Sequence, residues 1–381
     1  MIPYGRQSID EDDIRAVVEV LHSDWLTTGP KVAEFEQIFA KQVGSTEAVA
    51  VSTGTAALHA AMHALGIGPG DEVIVPAMTF AATANCVVFQ GATPVFVDVD
   101  PEKLLIDPDR VKEKITSRTK AVIAVDYAGH PADYDRLKPI AEDHGIALVA
   151  DACHALGAAY KSRPVGSLAD LSTFSFHPVK HIATGEGGMI TTDDPELAKG
   201  MRRFRNHGIT TDHHQREKQG SWFYEMVDLG YNYRITDFQC ALGISQLKKL
   251  SRFLEHRRKI AKKYDRAFSD MPAIKPLVVD SDILHAYHLY VIRVDFESLG
   301  GDRTASFKTL RQRGIAVNVH YIPVHLHPYY RKTFETGLGL CPVAEAAYQQ
   351  ILSLPMFAAI TDEETRKVVS VVSETFAGYR K

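Results

Sequence analysis

Short β-prone runs recur through the first half of this 381-residue chain at intervals that leave room for one helix each. The runs are Ala48 to Val51, Val73 to Val75, Val95 to Val99, Ala121 to Val125 and Ala147 to Ala150. Helical segments are expected between them, near Thr55 to Leu65, Thr79 to Gln90, Pro108 to Ile115 and Tyr134 to His144. This rhythm specifies an α/β fold around a mostly parallel, doubly wound sheet. Ligands on such sheets sit beyond the carboxyl ends of the strands, so Thr55, Phe80, Asp151 and the loop carrying Lys180 are expected to converge.

That loop lies between two further β-prone runs, Leu171 to Phe176 and Gly188 to Thr192, and carries Lys180 and the glycines Gly185, Gly187 and Gly188. A lysine held still and partly desolvated falls below its free pKa of about 10.4, and its amine becomes a usable nucleophile toward carbonyls. At the first run, Ser52-Thr53-Gly54-Thr55 opens an alanine-rich helix. Its free backbone N–H groups make a natural phosphate seat, and the same residues also suit a plain capped helix. Asp151 ends the run IALVA, where a carboxylate can serve a ligand or cap the next turn.

At the N-terminus, Ser8 with Glu11 fits a capping box, and Ile14, Val17, Val18 and Leu21 give the helix an apolar face. A second helix is expected at Val32 to Val43. The arginines of Met201-Arg202-Arg203-Phe204-Arg205 can reach an anion or form a solvated face, and residues 210–223, with His213 and His214, read as a mobile loop. A single long helix is expected from Thr236 to Ser269. Leu247, Leu250, Leu254, Ala261, Tyr264 and Phe268 form its apolar stripe, with Arg257, Arg258, Lys259, Lys262 and Lys263 on the wet side. Beyond it, a strand at Leu289 to Val294, a helix at Thr304 to Arg313 and a strand at Val317 to Tyr321 suggest a smaller α+β layer. The domain reading is residues 1–245, with an N-terminal arm, and residues 246–381, beginning inside the long helix.

Charge and cysteines exclude several other classes. The formal charge is −4 and the charged fraction 24%, without the basic stripe that nucleic-acid binding requires. No apolar run is long enough to span a bilayer, and a cytoplasmic location is expected. Cys86, Cys153, Cys240 and Cys341 form no C-x-x-C pair, so free thiols are expected. His320, His325 and His327 are close in sequence but lack an H-E-x-x-H spacing, and no metal is expected.

Together, Asp151-Ala152-Cys153-His154-Ala155-Leu156-Gly157, Ser175-Phe176-His177-Pro178-Val179-Lys180, Gly185-Glu186-Gly187-Gly188 and Gly230-Tyr231-Asn232-Tyr233-Arg234 resemble the DegT/DnrJ/StrS family of pyridoxal-phosphate sugar aminotransferases. The likeness runs from Trp25-Leu26-Thr27-Thr28-Gly29 to Leu354-Pro355. It implies the aspartate-aminotransferase type of fold (fold type I), with a seven-stranded sheet in a large domain, a smaller α+β domain and a homodimer with shared active sites. It further implies that Lys180 forms the Schiff base with pyridoxal 5′-phosphate (PLP) and that Asp151 partners the pyridine nitrogen. Thr55, Ser175 and the Gly54 backbone would hold the phosphate together with Asn232 of the partner subunit, and Phe80 would lie against the ring. His154, where many members carry glutamine, is similar to members that aminate C4 of UDP-linked keto sugars with L-glutamate as donor, passing through pyridoxamine 5′-phosphate (PMP). Tyr4, Thr28, Arg234 and Tyr321 are the substrate contacts that this likeness implies. Related dehydratases carry histidine at the lysine position, which Lys180 argues against, and a non-catalytic regulator is disfavoured by intact Lys180, Asp151 and Ser175.

Overall fold

The computed structural model describes residues 1–211, 216 and 220–377. His213 and His214 lie outside the described residues. The strands in chain order are β1 (Glu47–Val51), β2 (Glu72–Pro76), β3 (Thr93–Val97), β4 (Thr119–Val125), β5 (Ala147–Asp151), β6 (Ala159–Tyr160), β7 (Arg163–Pro164), β8 (Leu171–Ser175), β9 (Gly188–Thr192), β10 (Ile274–Pro276), β11 (Ile283–Leu284), β12 (Tyr290–Val294) and β13 (Ile351–Leu354). Seven of them form the main sheet in the order β1-β9-β8-β5-β4-β2-β3. Its pairs are parallel except those made by β9, which runs against both β1 and β8.

Successive residues along these strands enter opposite cores, as period-two geometry demands. Val49, Val51, Val73, Val75 and Ile123 pack with Ala57, Leu58 and Met62 of the helix Gly54–Ala64. Ala48, Ala50, Ile74, Val122 and Ala124 pack on the other face with Phe35, Phe39 and Ile244. The runs read as continuously apolar because helices cover both faces of the sheet. Each buried valine, leucine or isoleucine there contributes roughly 1.5–3 kcal/mol.

A second sheet, β10-β12-β13, is antiparallel and packs under the helices Leu250–Phe268, Arg303–Gln312 and Asp362–Ala377. Its core includes Tyr264, Phe268, Ile292, Leu310 and Val372, and Ile2 from the N-terminus joins it. β6, β7 and β11 form a small separate ribbon. Among the described residues, no helix is long and apolar enough to cross a membrane.

Four expectations need correction. The N-terminal helix (Glu11–Leu21) is capped by Asp10 with Asp13, not Ser8 with Glu11, and Ile14, Val18 and Leu21 are exposed. It buries Val20 and Asp13, and Asp13 accepts from Gln246 Nε2 at 2.7 Å and pairs with Lys249 Nζ at 2.8 Å. That inward-turned Lys249 sits where the expected long helix breaks, into Asp237–Leu247 and Leu250–Phe268. Arg257 is not on a wet side, being 1% exposed and donating from Nη1 to the carbonyls of Tyr287, His288 and Met356. Finally, Val317 to Tyr321 forms no strand but one antiparallel bridge, Asn318 to Ser353, on the outer edge of β13.

Candidate active site

The carboxyl ends of β1, β2, β4, β5 and β8 open onto one cavity of about 540 Å³. Tyr4, Gly54, Thr55, Phe80, Asp151, His154, Ser175, Lys180 and Tyr321 all line it. Thr28 and Arg234 do not, and line a separate recess instead. Asn232 is exposed, outside the cavity, and bridges to Asn206.

Asp151 is the last residue of β5 and is 6% exposed. Its Oδ2 accepts from Thr83 Oγ1 at 2.7 Å, and Thr83 is held in turn by Thr79 at 2.7 Å. Oδ1 accepts from the Cys153 N–H at 3.3 Å, so the carboxylate also caps the turn after the strand. Lys180 follows β8 in a tight turn, its N–H donating to the His177 carbonyl at 2.8 Å. Burial pushes its amine below the ordinary lysine range, with Cys153 and Asp151 opposing that shift. Desolvation disfavours the cation, so a larger share of the amine is uncharged than on a free lysine.

His154 is buried, with Nε2 3.0 Å from Tyr321 Oη and Nδ1 without a hydrogen-bond partner. Burial first, then Lys180, hold its pKa well below the usual value, so the ring is neutral at pH 7. The His288 ring stands 4.3 Å away behind it. Tyr127, buried beneath, donates to the His320 carbonyl.

At the strand-to-helix turn after β1, Thr53 Oγ1 caps the helix by accepting from Ala56 N–H at 3.0 Å. The Gly54 and Thr55 N–H groups, first in the helix, have no internal acceptor. A Cβ on Gly54 would stand 2.8 Å from Ser175 Cβ, so glycine lets this turn close on Ser175. A Cβ on Gly188 would stand 2.3 Å from the Thr53 carbonyl oxygen, which explains a glycine at the start of β9. First-turn donors beside two hydroxyls, a fixed carboxylate at the far side and a desolvated lysine between them fit PLP: a phosphate seat, a partner for a ring nitrogen and an amine for a carbonyl.

Thr83, His288 and Asn318 also belong to the site but were not singled out from sequence. Thr83 acts on a carboxylate 68 positions away, a relation that no local spacing reveals. His325 pairs with Glu345 at 2.9 Å and His320 Nδ1 with Ser353 Oγ at 2.8 Å. Among the described residues, no group of three or more His, Cys, Asp or Glu could hold a metal ion, and the four cysteines are free.

Comparisons with known proteins agree in kind. Residues 7–373 match the model of the DegT/DnrJ/EryC1/StrS aminotransferase family. The chain is 42% identical over 379 residues to the spore coat polysaccharide biosynthesis protein SpsC of Bacillus subtilis, covering 99% of this chain and 97% of that one. The PMP form of the putative sugar aminotransferase Spr1654 from Streptococcus pneumoniae superposes with a TM-score of 0.93 at 34% identity, over 100% of both chains. Helicobacter pylori PseC, an aminotransferase involved in the biosynthesis of pseudaminic acid, superposes with a TM-score of 0.92 at 32% identity, over 99% of both chains.

Proposed function

We propose a particular reaction for this chain from the premise that it belongs to the DegT/DnrJ/EryC1/StrS aminotransferase family and is a PLP-dependent sugar aminotransferase. The reaction is transfer of the amino group of L-glutamate to C4 of a UDP-linked 4-keto-6-deoxy-N-acetylhexosamine, giving a UDP-4-amino sugar for pseudaminic acid or a related surface glycan. The observation that carries the aminotransferase chemistry is the meeting of Lys180, Asp151, His154 and Ser175 in one cavity. Support for the sugar comes from the likeness to PseC and from the polysaccharide role in the name of SpsC.

Bound here, PLP supplies a carbonyl carbon and an electron-withdrawing ring. Ser175, Thr55 and the Gly54 backbone would hold its phosphate, and Phe80, which lines the same cavity, would face the ring. Asp151, fixed by Thr83, would keep a proton on the pyridine nitrogen, since an anionic carboxylate favours the cationic ring. Lys180 would take the proton from Cα of glutamate as a base and, as an acid, would give it to the carbon of the cofactor that had been its carbonyl, a role suited to an amine lowered by burial. His154, neutral and hydrogen-bonded to Tyr321, orients the ring face, and Tyr4 and Tyr321 contact the substrate.

The assembly in this reading is a homodimer of two-domain chains, residues 1–245 and 246–381, in which Asn232 of the partner subunit completes the phosphate seat. Asn232 of the chain itself is exposed and outside its own cavity, as a residue serving the other site would be. Arg234 and Thr28 then contact substrate from that side.

Offering the amino-charged enzyme a panel of UDP-4-keto sugars tests the substrate. The N-acetylhexosamine should give the highest kcat/KM, with the product aminated at C4 by mass and NMR. A higher value for the UDP-4-keto pentose would move the function to making UDP-4-amino-4-deoxy-L-arabinose.

A further inference from the structure

A cleft of about 270 Å³ opens between the turn after β4, which carries Tyr127, Ala128 and His130, and the second sheet, which contributes Pro276, Tyr290 and Val291. Tyr127 ties it to the catalytic cavity. Its hydroxyl donates to the His320 carbonyl, and the next residue, Tyr321, is the one bonded to His154.

The cleft holds polar groups that the fold leaves unused. His285 is 7% exposed, and its Nδ1 accepts from the Tyr287 N–H at 2.8 Å. Burial above all keeps that ring neutral, so its proton is on Nε2. Among the described residues, neither that N–H nor the Tyr287 hydroxyl has a hydrogen-bond partner. At the mouth, exposed Asp265 accepts from the Tyr290 hydroxyl at 2.6 Å through Oδ1.

The backbone around the cleft is strained as well. Ala128 and Tyr287 have φ of +59° and +48°, a left-handed conformation uncommon outside glycine. The Ala128 carbonyl accepts from the Leu289 N–H at 3.2 Å, and the Tyr287 carbonyl from Arg257 Nη1 at 3.0 Å, which fixes both segments. Strain held in this way gathers at ligand sites.

Charge and shape decide what fits. Lys103 lines the cleft but is paired with Asp280 at 2.8 Å, so an anion would meet no unpaired lysine or arginine among the described residues. The depth offers a neutral N–H donor and a phenol between apolar and aromatic walls. A hydroxylated ring matches it, with apolar faces and edge groups that both donate and accept. The polar groups also come from two elements, the segment before β12 and the helix Leu250–Phe268. That suits hydroxyls set around a ring better than the single polar edge of a nucleobase.

We infer that this cleft is an effector site for a small, neutral, polyhydroxylated ring, a free hexose or N-acetylhexosamine, which acts on the catalytic cavity through Tyr127. A ligand touching Tyr127 can bias the contacts from His320 to Tyr321 and His154 to the extent that it favours one arrangement of them. The inference holds whichever keto sugar is aminated.

The test measures binding of N-acetylglucosamine, glucose, uridine and gluconate to the PLP-loaded enzyme by calorimetry and saturation-transfer NMR. A ring of this size should bind with Kd on the order of 1 mM, with the two neutral sugars ahead of uridine and gluconate. Tyr287→Phe, which keeps the ring and removes the hydroxyl, should weaken the sugars about fivefold. Val278→Trp narrows the mouth at a residue 43% exposed, and should weaken them at least tenfold while leaving turnover without added sugar unchanged. In the wild type, saturating sugar should shift the glutamate concentration for half-maximal bleaching of the PLP absorption at least twofold. That shift should vanish in Tyr127→Phe, which still binds the sugar. No binding of either neutral sugar, tighter binding of uridine or gluconate, or undiminished binding by both Val278→Trp and Tyr287→Phe overturns the site. Binding that leaves the glutamate dependence unmoved overturns the effector role.

Discussion

Replacing Gly54 by alanine probes how tightly the proposed phosphate seat is built. The added Cβ would lie 2.8 Å from Ser175 Cβ, 3.2 Å from Ser175 Oγ and 3.4 Å from Cys153 Sγ. Carbon atoms pack best about 3.5–4.0 Å apart, so Ser175 and the turn must separate by roughly 0.7 Å or more. Ser175 ends β8, which is otherwise buried, and half-buried Cys153 lies in the turn two residues beyond β5, so neither is at the far end of a flexible side chain. Overpacking of this kind costs about 1–3 kcal/mol. Helix propensity offsets at most about 1 kcal/mol of that, because Gly54 begins its helix. Moving Ser175 away from the first-turn N–H groups should also weaken PLP binding by about tenfold or more. Denaturant unfolding of the apoenzyme gives the first quantity, and a PLP titration followed by absorbance gives the second. Gly68→Ala, where a Cβ meets nothing within 4 Å, is the control. Wild-type stability and PLP affinity in Gly54→Ala would refute the close-packed seat.

Asp151→Asn should retain PLP but lose roughly 10²–10⁴ in turnover, because a neutral amide cannot keep the ring proton; near-normal rates at saturating PLP would reduce Asp151 to a cap. Asp126 has its pKa raised to about 7 by burial, so the folded state holds that proton more tightly than the unfolded chain. Stability from this group is therefore present at low pH and declines as pH rises from about 4 to about 7, by on the order of 3–4 kcal/mol. In Asp126→Asn the amide oxygen can keep the Ala132 N–H and Tyr134 hydroxyl as donors, and the decline between pH 5 and 8 in urea midpoints should be smaller than in wild type. Parallel curves for the two proteins would contradict the assignment.

What could be read from the sequence was what depends on residue type and short spacing. The main strands, the helix after Ser52-Thr53-Gly54-Thr55 and the loop position of Lys180 are of this kind, because period-two burial and turn residues leave local signatures. Roles set by distant neighbours were hidden. Arg257 looks like a wet-side residue until the carbonyls of Tyr287, His288 and Met356 come to meet it. Thr83 looks like a helix residue until Asp151 arrives beside it. Lys249 sits at the break in a helix that the periodicity would continue, and its partner there is buried Asp13 from the far end of the chain. The exposed Asn232 is a related case, since its proposed target lies outside its own chain.

The proposed chemistry requires the amine of Lys180 to be the group that bonds to PLP. Borohydride reduction of the PLP-loaded protein, digestion and mass spectrometry of the peptides tests it most directly. A single pyridoxyl label is expected, on Lys180, with no label in Lys180→Ala. A label on any other lysine, or undiminished labelling of Lys180→Ala, would contradict it.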